Sequence, residues 1–421
     1  MKPVDWVVSA LIASLARWLN PRRLRAQAML LGLCLWGVCA VDYSTPGLFD
    51  RAGNIKFQDF LPSYISARLI AQRRAAELYD AKARTDELHS IVPEPTRVRL
   101  VNVYGPQVGL LFIALARLSF LKAAFVWAVF NLTLYLACIY AVWRCLPNLR
   151  PHRAIVITAA FAFPPLFHFF VRGQFSVLVL LCFTLAFLSL RKRRNWLAGV
   201  ALGCMIFKPQ FLLAIPLILL LSRSWSILAG LVLSSFAQLV FARLYFGPAV
   251  MQTYFALALH PSTWIGVAEL SLAPIQMHSL RSFWSLLIAW HQVAFVLYLL
   301  CSALVLGVAV IVWKSTSELA LRYSALSFAA ILVNPHLFVY DLLMLAPALL
   351  ILVEWSLDRG SATRSVMSVL LYLSFVLPLA GPLSRWTHLQ LSVIAFAAVL
   401  GLLYRVTTRN QVLASRESLV I

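Results

Sequence analysis

The sequence predicts an all-α bundle of about twelve membrane-spanning helices, and three observations carry that prediction. Of the 421 residues, 62% are hydrophobic and 12% charged, whereas a soluble domain carries about a quarter charged residues. Mean hydropathy is +0.85. Several apolar runs reach the length of about 20 residues that a hydrocarbon core requires. A formal charge of +21 would suit nucleic acid if it were gathered in one patch. Here the arginines and lysines fall in short clusters between apolar runs, where they orient spans by the positive-inside rule. That distribution argues against a nucleic-acid partner.

The elements follow in chain order. Residues 1–25 read as an amphipathic cytoplasmic leader lying along the membrane face. The run 26–42, behind Arg17, Arg22, Arg23 and Arg25, reads as an uncleaved first anchor because many spans follow it. Residues 43–122 form the one long polar stretch and become the first outer loop. Within it, 107–120 is apolar but too short to cross comfortably, so it is expected to be re-entrant or interfacial. Spans are then expected near 123–143, 154–171 and 175–190.

The run 195–221 has Lys208-Pro209 at its centre, Arg191-Lys192-Arg193-Arg194 before it and Arg223 after it. If both basic flanks share one side of the membrane, the segment must turn back. It then makes two short helices, 195–207 and 209–221, with Lys208 at the outer tip. The remaining spans are expected near 226–246, 284–312, 320–334, 337–355, 365–381 and 388–405, with a cytoplasmic tail over 406–421. This makes 26–405 a single transmembrane domain with both termini inside. The loop 247–283 carries Tyr254 and Trp264, with Trp284 just beyond, residues suited to the interfacial belt.

On this scheme the unusual polar residues collect on one side. Asp59, Arg68, Arg172, Gln174, Lys208, His278, Arg281, His336, Tyr340 and Asp341 all fall at or near outer ends of spans. Ionisable groups at membrane depth are costly to insert and are functional candidates for that reason. A carboxylate that can take a proton from a hydroxyl, together with cations that stabilise charge on a departing phosphate, suits transfer from a phosphate-linked lipid. Walker-type glycines and nucleotide fingerprints are lacking, as are acidic metal clusters, so neither a cofactor nor a metal is expected. The seven cysteines show no CxxC or metal-ligand spacing and are read as packing or lipid-facing residues.

At these positions the chain resembles the polytopic GT-C glycosyltransferases, in particular glycosyltransferase family 87. The segment from Asp59-Phe60 to Glu77-Leu78-Tyr79-Asp80 resembles that family's first outer loop. Val103-Tyr104-Gly105-Pro106 resembles its Tyr-Pro-Pro stretch, departing at Gly105. Gly173-Gln174 ahead of an apolar helix is another similar element. Trp196-Leu197-Ala198-Gly199 leading to Phe207-Lys208-Pro209 is the strongest match, and Pro335-His336 with Tyr340-Asp341 is similar to the late motif near the donor phosphate.

The resemblance implies a GT-C fold and a hexosyltransferase that is dependent on a polyprenyl-phosphate sugar, with mannose as the sugar. The acceptor would be a lipid- or glycan-linked hydroxyl, and the reaction would proceed with inversion. Asp59 would be the catalytic base, and Lys208, Arg172 and His336 would hold the donor phosphate. Gln174, Tyr340, Asp341 and Arg68 would orient the substrate. The expected setting is a bacterial inner (plasma) membrane, with the site on the outer, periplasmic face and membrane lipids all round. Two rival readings stay open from sequence alone: a transporter or flippase of lipid-linked sugars, and a non-catalytic membrane assembly partner. Paired inverted halves would favour the transporter, but only one broken hairpin is visible and the first outer loop has no mirrored partner.

Overall fold

The computed structural model describes residues 12–92, 103–259 and 273–417. Residues 1–11 of the expected leader and Trp264 lie outside the described residues. Among those described there is no strand, only two isolated bridges, Phe49 with Ile55 and Met277 with Phe338. The chain is otherwise a succession of helices and short 3-10 turns.

Helix α1 (Pro21–Tyr43) begins where Asn20 caps it, its side chain accepting from the backbone N–H of Arg23, with Pro21 in the first turn. Its start lies five residues before the expected anchor because this cap, rather than the end of the basic cluster, sets the boundary. Only 6% of its apolar window is buried, so it is a peripheral helix with Leu30, Leu33, Val38 and Val41 facing outward. The loop after it carries three short elements: α2 (Leu61–Ala71), a 3-10 turn and α3 (Ala81–Ile91). Arg84, fully buried on α3, ties the loop together by donating to Ser66 Oγ at 2.9 Å, the Leu78 carbonyl at 3.2 Å and the Pro62 carbonyl at 3.1 Å. The run expected to be one re-entrant helix is instead a single turn over Gln107–Leu110 and a 3-10 turn at Leu115–Arg117.

Beyond the loop come α4 (Phe120–Trp143), α5 (Arg153–Ala162), α6 (Pro164–Arg172) and α7 (Ser176–Arg191). The expected span 154–171 is broken at Pro164, and α5 and α6 are bent by 44° because proline ends the hydrogen-bond ladder of the preceding turn. After α8 (Asn195–Gly203), the chain turns at Lys208 into α9 (Ala214–Leu221). The turn back is visible in its contacts. Lys208 meets Ser176 and Asp341 at one end of the bundle. Ser224, past α9, accepts from Trp313 at the far end of α12 (His291–Ser315), and Arg191 reaches the Cys145 carbonyl there as well.

Helix α10 (Trp225–Leu259) packs along α8 at backbone contact distance. A Cβ placed at Gly199 would lie 1.9 Å from the Ile227 carbonyl oxygen, and one at Gly230 would lie 2.3 Å from that of Trp196. The expected loop 247–283 begins as helix: α10 kinks at Gly247 (φ +83°) and resumes at Pro248 up to Leu259. Tyr254 in this extension meets Tyr79 of the first loop, ring centres 6.2 Å apart. A short α11 (Leu280–Leu287) precedes α12, and the expected span 284–312 divides between them. Then follow α13 (Leu319–Val333), a 3-10 turn over Val339–Leu345, α14 (Ala346–Leu357), α15 (Ser361–Val376) and α16 (Leu391–Glu417).

Among the described residues, seven helices are long and apolar enough to cross a membrane, and the bent α5–α6 pair gives an eighth. Four more apolar helices, near α7, α8, α9 and α13, are shorter, so length and composition alone do not establish twelve crossings. The segment Val339–Leu357 is the centre of the bundle, 83% of its window being buried. A multi-pass integral membrane protein follows from these helices.

The close approach of α8 to α10 gives a direct test. Gly199→Ala forces backbone apart where overpacking costs about 1–3 kcal/mol, and a clearly lowered melting temperature of the purified protein is expected. Gly307→Ala, with open space around it, is the control and should melt like the wild type. Equal melting of the two variants would show that the α8–α10 contact is not tight.

Candidate active site

Asp59 lies just ahead of α2, and its loop is seated on the C-terminus of α6. The Asp59 backbone N–H donates to the Arg172 carbonyl at 3.0 Å. The seat depends on Gly173. Its φ of +72° belongs to the left-handed region, and a Cβ there would lie 3.0 Å from the Cβ atoms of both Phe57 and Phe60. Trp127 Nε1 donates to the Gly173 carbonyl at 3.2 Å, and Asn131 Nδ2 to the Gln174 carbonyl at 3.1 Å, so α4 fixes this turn from behind.

The turn aims two side chains at the carboxylate. Gln174 Nε2 donates to Asp59 Oδ2 at 2.8 Å, and Arg172 Nη1 stands 3.8 Å from the same oxygen. Arg172 also donates to Gln276 Oε1 at 3.3 Å. Side-chain exposures of 21% for Asp59 and 30% for Arg172 leave both within reach of a substrate. Burial pushes the Asp59 carboxyl above its ordinary value. The Arg172 guanidinium, the Gln174 hydrogen bond and the more distant Lys208 oppose that shift, and Asp341 adds to it.

Behind Asp59 lies a buried ionic knot. Lys208 Nζ donates to Asp341 Oδ1 at 2.6 Å and to Ser176 Oγ at 2.9 Å, while Ser176 donates to the same carboxylate oxygen at 2.7 Å. Asp341 Oδ2 accepts from the Phe338 backbone N–H at 3.4 Å. Lys208 and Asp341 are each 2% exposed, and the ammonium lies 5.3 Å from the Phe175 ring centre and 5.5 Å from that of Tyr340. Lys208 therefore faces a carboxylate, not an open surface. The direct grip on a donor phosphate expected of it does not follow from this geometry, because the ion pair would have to open first.

His336 and Tyr340 flank the knot. His336 packs edge-on against Phe338, which stacks on Tyr340. Burial, with Lys208 and Arg281 adding to it, pushes His336 below its ordinary value against the pull of Asp341. It is thus a neutral hydrogen-bonding group near pH 7 rather than a cation. Tyr340 lies within electrostatic reach of both Asp59 and Asp341.

Two expected members are not part of the cluster. Arg68 Nε pairs with Glu87 at 2.9 Å and lines a separate cavity of about 540 Å³ with Tyr64, Gln72, Arg117 and Ser119. It lies in the last turn of α2, nine residues after Asp59, and is turned toward Glu87 of α3. His278 is packed between the first turn of α16 and the segment after α13, its Nδ1 2.7 Å from Ser392 Oγ and its backbone N–H on the Leu337 carbonyl. Burial drives its pKa down to about 3.

Sequence reasoning missed Ser176, the hinge of the ionic knot, and Tyr104, which stands within electrostatic reach of Asp59 and Asp341 with its ring 4.6 Å from Phe175. The signal for Ser176 was its position two residues after Gln174, at the mouth of an apolar helix. Tyr104 sat in a stretch noted only for its resemblance.

A family profile, glycosyltransferase family 87, matches residues 102–340, more than half of the chain. The chain belongs to glycosyltransferase family 87. The matched residues take in the Gln174 turn, Ser176, Lys208, His336 and Tyr340, whereas Asp59 lies ahead of them and is placed by geometry alone. No curated relative and no solved structure matches the chain. Membership makes the protein a membrane glycosyltransferase, with a donor and an acceptor meeting at or in the bilayer.

The ionic knot has a measurable signature. Removing one partner of a buried pair leaves an uncompensated charge and costs about 3–5 kcal/mol, so Lys208→Met should melt well below wild type. The double variant Lys208→Met/Asp341→Leu should recover most of that loss, because both charges are gone together. A Lys208→Met protein that melts normally and shows only a raised KM for donor would place the ammonium against substrate instead of Asp341.

Proposed function

We propose that this glycosyltransferase moves a hexose, mannose being the sugar the family resemblance favours, from a polyprenyl-phosphate donor to a lipid- or glycan-linked hydroxyl. The observation that carries the reading is the Asp59 carboxylate. It is seated at the end of the bundle, held by Gln174 and Arg172, and still reachable. A hydroxyl placed beside it loses its proton to Asp59 as its oxygen attacks the anomeric carbon. The bond from that carbon to the phosphate oxygen breaks on the opposite face, giving inversion and releasing polyprenyl phosphate.

Arg172 suits the departing phosphate because it is the partly exposed guanidinium of the cluster, and a planar fork binds phosphate in two places. His336 would add an N–H donor. Lys208 and Asp341 act as positioning residues that hold Ser176 and the His336–Tyr340 turn in place, and Gln174 orients the Asp59 carboxylate. The mechanism requires nothing of Arg68. The site end of the bundle would face outward, with both termini inside the cell, most simply in a bacterial plasma membrane.

Asp59→Asn keeps the shape and the acceptor for Gln174 but cannot take a proton. Loss of a general base costs on the order of 10²–10⁴ in rate, so turnover should fall by that factor while melting and donor binding hold. Asp42 and Asp50 accept backbone N–H bonds, and Asp80 caps α3. Their asparagine variants retain those acceptors and should stay within a few-fold of wild type. The acid limb of the rate profile should lie above pH 3.8, the ordinary carboxylate value. In Arg172→Gln the limb should move further up, because the charge that keeps Asp59 ionised is gone. Full activity in Asp59→Asn, or a limb unmoved in Arg172→Gln, would remove Asp59 from the base role.

Orientation is tested by single cysteines in a background lacking the seven native ones. A cysteine at Ser44, exposed at the site end, should react with an impermeant reagent added outside intact cells. One at Asn195, exposed at the opposite end, should react only after permeabilisation. The reverse pattern would put the site on the inner face.

A further inference from the structure

A second cavity lies at the end of the bundle opposite Asp59. Its volume is about 650 Å³, and its walls come from α1, α4, α5, α14 and α15. They are mostly apolar, with Leu24, Leu31, Ile155, Leu350 and Phe375 among them. The end is fixed by chain direction: Pro21 and Leu24 open α1, whose other end, Tyr43, packs on Phe57 next to Asp59. The cavity runs inward from that mouth as far as Phe163 and Ala346.

The mouth is basic. Arg17, His152 and Arg364 line it and are exposed, and among the described residues no aspartate or glutamate does so. The nearest acids are otherwise engaged: Glu354 accepts the backbone N–H groups of Asn148 and Leu149, and Asp358 accepts from Asn148 Nδ2. Arg364 uses Nε and Nη2 on the Ser356, Leu357 and Arg359 carbonyls at the end of α14, and among the described residues Nη1 has no hydrogen-bond partner. In the wall, Gln27 Oε1 is buried without a hydrogen-bond partner.

We propose that this cavity is the binding site of one anionic glycerophospholipid from the leaflet opposite the active site. The acyl chain fills the apolar interior, the phosphate sits between Arg17, His152 and Arg364, and a headgroup hydroxyl supplies the donor that Gln27 lacks. Charge complementarity selects this occupant over a zwitterionic lipid. The donor lipid is a poor fit here, because its phosphate belongs with Asp59 and Arg172 at the other end. The cavity's own lining carries the proposal; only the exclusion of the donor lipid rests on the proposed function.

The test uses the full chain, purified in detergent, stripped of lipid and reloaded with phosphatidylglycerol or phosphatidylcholine, with retained lipid counted by native mass spectrometry. One phosphatidylglycerol per chain is expected, preferred over phosphatidylcholine roughly tenfold, as suits two or three cations at a membrane surface. Ala159→Trp, which fills the cavity from its α5 wall, should abolish retention, and Arg17→Gln should cut the preference several-fold. Among the described residues the Arg17 side chain makes no hydrogen bond or ion pair, so this variant separates headgroup recognition from stability. Equal retention of the two lipids would overturn the proposal, and so would undiminished phosphatidylglycerol in Ala159→Trp. Displacement of phosphatidylglycerol, mole for mole, by polyprenyl phosphate would assign the cavity to the donor and likewise overturn it.

Discussion

The site is organised around one buried ion pair. Lys208 and Asp341 lie 133 positions apart in the chain and meet at 2.6 Å with Ser176 between them, so one contact fixes the hairpin tip, the start of α7 and the 3-10 turn entering α14. Two charges taken into such a low-dielectric centre cost several kcal/mol each, and only close pairing with further hydrogen bonds offsets that. The pair satisfies this through Ser176, the Phe338 N–H and two aromatic faces. What it supplies is placement: Tyr340 and His336 follow from where Asp341 is held, and Gln174 follows from where Ser176 is held.

How much of this was legible in the sequence depended on the physics behind each signal. The turn at Lys208 could be read because basic flanks on both sides of a short apolar run leave a membrane protein little choice. The Asp59–Gln174 proximity could be read only as a shared side of the bundle, since the contact itself comes from a glycine at φ +72° that lets two backbones touch. Arg68 was misplaced for a simple reason. Asp59 belongs to the loop ahead of α2 and Arg68 to the last turn of that helix, so the two share an end of the bundle without meeting, and Glu87, whose position no periodicity reveals, draws the guanidinium aside. The helix 248–259 was hidden by its own Gly247-Pro248 start, which reads as a loop signal although the proline sits comfortably in a first turn.

Helix ends were displaced for a related reason. Hydropathy locates where apolar surface begins, whereas caps and prolines locate where hydrogen bonding begins. Asn20 starts α1 ahead of its apolar stretch, and Pro164 divides a stretch that is apolar throughout. The centre of the molecule shows the opposite bias. The segment Val339–Leu357 carries two acidic residues, Asp341 and Glu354, and two 3-10 turns' worth of irregular backbone, yet it is the most buried of all the candidate spans. Irregular backbone is tolerated at membrane depth where protein, not lipid, surrounds it.

Charge balance connects these observations to the proposed chemistry. In the resting site two carboxylates, Asp59 and Asp341, face two cations, Arg172 and Lys208, and Lys208 is spent on Asp341. Arg172 is therefore the one cation beside the Asp59 carboxyl that is not already paired, and with the Gln174 hydrogen bond and the more distant Lys208 it opposes burial, which still carries the pKa upward. An incoming phosphodiester adds negative charge beside Arg172 and weakens that restraint, making Asp59 a stronger base while the substrate is bound. When the proton arrives from the acceptor hydroxyl, the Asp59 charge disappears as new charge develops on the leaving phosphate. Arg172 then has one anion to stabilise in place of another. On the proposed reading, the same guanidinium serves the base before transfer and the leaving group during it, and no side chain needs to move.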